Sequence, residues 1–66
     1  MIKVYPIDIY DKDGNLLRIE FLNKNTSEFE FQAEWDDRDA QTHEKREEFR
    51  KWSAFMAKRL GYEISI

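Results

Sequence analysis

Apolar residues recur at every second position through the first half of the chain and at helical spacing through the second. From Ile2 to Tyr10, Tyr5, Ile7 and Ile9 alternate with polar or small partners, so this segment reads as a strand. Pro6 interrupts it. Without an N–H it cannot donate to a ladder, which places the strand at an edge near Pro6 or demands a bulge there, the bulge turning Ile2 and Val4 inward. Asp11-Lys12-Asp13-Gly14-Asn15 is a turn, with Asp13-Gly14 supplying the residue that tolerates positive φ. Leu16 to Leu22 returns as a strand with Leu17, Ile19 and Phe21 on one face and Arg18 and Glu20 on the other. After a second turn at Asn23-Lys24-Asn25-Thr26, the segment from Ser27 to Trp35 alternates throughout: Phe29, Phe31, Ala33 and Trp35 against Glu28, Glu30, Gln32 and Glu34.

The period then changes. Asp36, Asp37 or Asp39 can cap a helix running from about 39 to 60, and Gly61 after Lys58 and Arg59 suits its C-terminal end. With Phe49 at zero and 100° per residue, Trp52, Ser53, Met56, Ala57 and Leu60 share an arc of roughly 140°, the expected core face. Tyr62 to Ile66 alternates again and is worth ordering only against an existing sheet. About 22 helical residues span roughly 33 Å and nine strand residues roughly 30 Å, so one helix can cross the sheet. The expected fold is α+β: a single domain over residues 1–66, in βββαβ order, with one long helix packed on one face of a three- or four-stranded, mainly antiparallel sheet. The other face, carrying the Glu row, is expected to stay wet.

Composition narrows the function. Sixty-six residues allow one core, and with 41% hydrophobic and 15% aromatic residues they describe a folded chain. There is no Cys, hence no disulfide, thiolate metal cage or cysteine nucleophile. The net charge of −3 gives no overall drive toward nucleic acid. It is unevenly spread, however: residues 1–39 carry ten acids and five bases, the remainder six bases and four acids. No apolar run resembles a signal peptide or a membrane span, so a cytoplasmic protein is expected.

Candidate chemistry is sparse. Asp11, Asp13, Asn15 and Glu20 fall at four positions of a calcium loop, but Ile9 would take the first position and the flanks read as strands, so a plain hairpin turn is the simpler account. His43 is the single histidine; without cysteines a zinc site would need three carboxylates beside it, and Asp39 four residues earlier is its natural local partner. Ser53 falls in the expected core arc, and no glycine loop offers an oxyanion site. No catalytic, cofactor or metal residue is therefore assigned, and the chain is read as a non-enzyme.

Two surfaces remain. Glu28, Glu30 and Glu34, continued by Asp36, Asp37 and Asp39, would form a regular ladder of negative charge, suited to the groove of a basic, nucleic-acid-binding host protein or simply keeping an open sheet face soluble. On the helix, Phe55 lies about 120° from the centre of the expected core stripe among Lys51, Lys58 and Arg59, an anchor for a protein partner, a stacking platform, a homodimer contact, or a ring buried along the edge of a wide sheet. Small, cysteine-free, highly charged domains of this kind resemble in character the accessory proteins of bacteriophages and mobile elements, which implies a modulator or inhibitor of a host protein. The leading expectation is a protein-binding module acting through the acidic sheet face or the Phe55 helix face. The alternative is nucleic-acid binding through the basic C-terminal half of the helix, with Arg50 joining Lys51, Phe55, Lys58 and Arg59.

Overall fold

In the computed structural model, which describes residues 1–35 and 41–65, strands β1 (Lys3–Tyr10), β2 (Leu16–Asn23) and β3 (Phe29–Glu34) precede helix α1 (His43–Arg59) and a short strand β4 (Glu63–Ile64). The four strands form one sheet in the order β3-β2-β1-β4. β1 and β2, and β2 and β3, are antiparallel; β4 runs parallel to β1. The parallel pairing follows from the chain order: α1 returns the chain against the direction of β3, so the next strand runs with β3 and therefore with β1. The expected α+β fold and βββαβ order hold, with four strands and a mixed sheet.

Local chemistry accounts for the connections. In the first turn, Asp11 Oδ1 accepts from the backbone N–H groups of Asp13 (2.8 Å) and Asn15 (2.9 Å), and Gly14 sits at φ 84°. The Asp11 carboxylate thus works as a turn acceptor, as the hairpin reading requires. Asn23 Oδ1 organises the second turn by accepting from the N–H groups of Asn25 and Thr26, and Ser27 closes it at φ 63°. This left-handed residue ends the turn later than the sequence suggests, and β3 starts at Phe29 instead of Ser27.

The helix is shorter than expected at its start. Its N-cap is Thr42, whose Oγ1 accepts from Lys45 N–H at 3.1 Å. The proposed caps Asp36, Asp37 and Asp39 lie outside the described residues. At the other end Gly61, at φ 96°, donates to Lys58 O and Tyr62 donates to Ala57 O, the paired bonds of a glycine-terminated helix.

Two irregularities decide which side chains face the helix. A register shift between Ile9 and Tyr10 leaves Leu17 without an opposite residue and brings Leu16 to the inner face beside Ile19 and Phe21. A second shift, between Phe21 and Leu22, sets Phe29 opposite Leu22 and not in the inward row of Phe31 and Ala33, and Phe29 is 55% exposed. There is no bulge at Pro6. Ile2 O and Val4 O accept from Glu63 and Ser65 N–H, so alternate residues of β1 turn their backbone toward β4; Pro6 is the next in that series, and the ladder ends where its N–H is missing. The open edge expected near Pro6 is present.

The core is Val4, Leu16, Ile19, Phe21, Ala33 and Ala57, with Phe31, Trp35, Phe49, Tyr62 and Ile64 packed on it. Val4, Pro6, Asp8 and Tyr10 share the registers of inward residues on β2, so Tyr5, Ile7 and Ile9 point away from the helix, a reversal of the sequence expectation. The helix is also turned, by about 50° at 100° per residue, from the predicted stripe. Ser53 and Ala57 are buried, whereas Trp52 and Leu60 are exposed. Small side chains at Ser53, Ala54 and Ala57 let the helix backbone approach the sheet, and large rings at the same place would hold it off.

One contact invisible to periodicity ties the loop before α1 to the sheet. The Gln41 side chain accepts from Leu16 N–H at 2.9 Å and donates to Leu16 O at 2.7 Å, occupying both backbone groups as a strand would. Replacing Gln41 by Ala is expected to cost about 1–2 kcal/mol, because two part-buried backbone groups lose their partner. Gln41→Glu keeps an acceptor but no donor and is expected to be destabilised as well, both measured by urea unfolding.

Candidate functional site

Cross-strand pairs define the face that α1 leaves uncovered. Ile9, Arg18 and Glu34 form one row across β1, β2 and β3; Ile7, Glu20 and Gln32 form the next; Tyr5, Leu22 and Phe29 form a third. At the β4 side Lys3 stands opposite Glu63. An apolar band therefore runs along β1 and turns across β2 to Phe29, with polar and acidic residues filling the remaining corner. Tyr5, Ile7, Ile9 and Leu22 are half-buried. Arg18 is engaged by Glu20, its Nε 2.8 Å from Glu20 Oε2, which leaves Glu34 as the negative border along β3.

The acidic ladder is less regular than its sequence. Glu28 precedes β3, and the register shift leaves Glu30 between rows. Glu30 Oε2 accepts from Asn23 Nδ2 at 3.2 Å, and Glu34 Oε1 from Gln32 Nε2 at 2.8 Å. Asp36, Asp37 and Asp39 are outside the described residues. Sequence reasoning located the carboxylates but missed the hydrophobic half of this face. Its signal was available in the alternation of Tyr5, Ile7 and Ile9, read with the opposite orientation.

On the helix, Lys51, Phe55, Lys58 and Arg59 are all exposed, and the Arg59 guanidinium lies 5.7 Å from the Phe55 ring centroid. Arg50 does not belong with them. It faces the sheet, where its Nη2 and Nε donate to Asp8 Oδ2 at 2.8 and 3.2 Å and its Nη1 donates to Glu47 Oε1 at 2.7 Å. Tyr10 Oη donates to the same Asp8 oxygen at 3.2 Å. The hydrogen bond that Arg50 donates to Asp8 raises the Arg50 pKa above its ordinary value, burial opposing it and the Asp8 charge adding to it. A raised pKa in the folded state means a contribution fully present below the ordinary arginine range and lost only as pH rises through the shifted value, so it is constant across neutral pH. This cation is committed to holding α1 on β1, which removes one base from the nucleic-acid reading.

Other candidates resolve into structural roles. His43 is exposed in the first turn of α1, and the proposed Asp39 partner lies outside the described residues. Ser53 Oγ donates to Arg50 O at 2.8 Å. Among the described residues no three His, Asp or Glu side chains converge as metal ligands, and no helix is long and apolar enough to cross a membrane. Beside β3, Trp35, Phe49 and Trp52 form a chain of rings with centroids 5.1 and 5.9 Å apart. With Lys45 and Glu48 they line an open groove of about 330 Å³. Compared with protein-family models, curated proteins and solved structures, the chain matches none.

A double-mutant cycle measures the helix–sheet tie. Asp8→Asn and Arg50→Met are each expected to destabilise, with a coupling of about 1 kcal/mol for a partly exposed, hydrogen-bonded pair. Urea unfolding of the wild type, both single variants and the double variant gives the coupling directly.

Proposed function

We propose that this chain is a protein-binding module that docks through the uncovered face of its sheet onto a basic protein surface. The observation that supports this most is the outward orientation of Tyr5, Ile7 and Ile9 on a central strand. Large apolar side chains in a contiguous band, bordered by charge, are the usual anatomy of an interface: an apolar centre that excludes water and a polar rim that sets orientation.

Charge selects the partner's chemistry. With Arg18 engaged by Glu20 and Lys3 standing opposite Glu63, Glu34 and Glu28 at or near the border leave the face net acidic, so that it repels a second copy of itself. Lysine and arginine on the partner complement it. A basic surface with apolar side chains between its charges is also what many nucleic-acid-binding proteins present. Docking there competes with phosphate, and the chain then acts as an inhibitor of that partner.

Affinity capture from nuclease-treated bacterial lysate, followed by titration of the purified captured protein, tests this reading. Ile7→Thr/Ile9→Thr keeps strand propensity while removing apolar area, and is expected to weaken binding by tenfold or more. Glu34→Lys/Glu28→Lys is expected to weaken it in a salt-dependent way, and Phe55→Ala to leave it unchanged. Retention of every captured protein by both sheet-face variants would show that this face is not the docking surface.

A further inference from the structure

The outer side of α1 carries a feature that the sheet-face proposal does not use. Lys45, Glu48, Trp52, Phe55 and Arg59 follow one another at alternating spacings of three and four residues, which keeps them on one line along the helix. All five are exposed, and the line is centred about 140° around the helix from the buried Ser53 and Ala57. Its centre is two large aromatic side chains, Trp52 at 49% and Phe55 at 54% exposure. The spacing is that of a helix–helix seam, and α1 is the single helix among the described residues.

The arrangement is symmetric about the point midway between Ser53 and Ala54. Trp52 and Phe55 lie equally far to either side of that point, and so do Glu48 and Arg59. We propose that α1 pairs antiparallel with α1 of a second copy of this chain, about a two-fold axis through this point. Trp52 then packs against the second copy's Phe55, and Glu48 meets the second copy's Arg59, each contact occurring twice. A parallel pairing would set Glu48 against Glu48 and Arg59 against Arg59, so charge selects the antiparallel one. The open groove lined by Trp35, Lys45, Glu48, Phe49 and Trp52 lies at the same level as the second copy's Arg59, and offers that guanidinium a carboxylate and an aromatic wall.

The flanks differ. Half-buried Phe49 and Met56 adjoin one side of the line, where they extend the apolar contact. Lys51 and Lys58 adjoin the other, where their long side chains keep the ammonium groups in water. About this axis the two helices overlap over residues 48–59, a seam about 18 Å long that buries an area at the low end for stable complexes, so the dimer is a weak one, with dissociation at roughly 10 to 500 µM.

Sedimentation equilibrium from roughly 5 µM to 2 mM, spanning that dissociation range, tests the pairing. The wild type is expected to shift from monomer to dimer. Phe55→Glu is expected to be monomeric throughout; Phe55 lies outside the core, so circular dichroism should show its fold intact. Glu48→Arg and Arg59→Glu each set like charges opposite one another and are expected to weaken the dimer about tenfold, while Glu48→Arg/Arg59→Glu together restore it. A monomeric wild type at all concentrations would overturn the proposal, as would a dimer indifferent to Phe55→Glu or a double variant no tighter than the single ones. A monomeric wild type that retains a single-stranded oligonucleotide, and loses it in Lys51→Glu/Lys58→Glu, would assign the ridge to nucleic acid instead. None of these variants touches the sheet face, so failure here leaves the docking proposal standing, and the converse also holds.

Discussion

The register of β1 on β2 is the constraint on which the rest of the molecule depends. Pro6 opposite Phe21 and Asp8 opposite Ile19 put a proline and a carboxylate beneath the helix. A slip of one residue would exchange the two faces of β1. Ile7 and Ile9 would then crowd against a helix that has come close on Ser53, Ala54 and Ala57, and Arg50 would face no carboxylate. In the observed register Asp8 meets Arg50 at 2.8 Å, Val4 is fully buried, and Tyr5, Ile7 and Ile9 are sent to the opposite face.

Magnitudes separate what stabilises the fold from what orients it. Burying a side chain such as Phe21 contributes roughly 2–3 kcal/mol, and the inward residues of β2 supply several such terms. A partly exposed ion pair like Asp8–Arg50 contributes nearer 1 kcal/mol. Stability therefore comes mainly from the packing of Leu16, Ile19 and Phe21 beneath the helix. The pair acts on direction: a charged group with one good partner discriminates between helix rotations that apolar contact alone would tolerate. Gln41, clamped on Leu16, sets the entry of the helix in the same way.

That rotation and that register have the same consequence for function. Each moves bulky apolar residues outward, Tyr5, Ile7 and Ile9 on the sheet and Trp52 and Leu60 on the helix, where Trp52 joins Phe55. The molecule is left with two apolar surfaces on opposite sides of a thin core. One is bordered by carboxylates and the other carries charges of both signs in symmetric positions, which is why the partners proposed for them differ: a basic protein for the first, a second copy of the chain for the second.

Local signals were legible in the sequence. Asp11 and Gly14 shape the first turn, Gly61 ends the helix, Phe31 and Ala33 face inward, and the order of elements follows the change from period two to helical period, because each of these depends on a few neighbouring residues. The angle of Phe55 on the helix left it either exposed or buried along the sheet edge, and the tertiary structure exposes it. Register was not legible. Whether Ile7 or Asp8 faces inward depends on where Arg50 stands, 42 residues away in the chain, and on how closely small residues let the helix approach. The bulges at Leu17 and Glu30 broke alternations that looked complete in one dimension, since a strand's period is altered by the partner it pairs with. Sequence alone determined which segments are strands, turns and helix and what chemistry they carry. The tertiary structure decided which faces are hidden, because an amphipathic pattern defines two faces but only packing against a particular neighbour chooses between them.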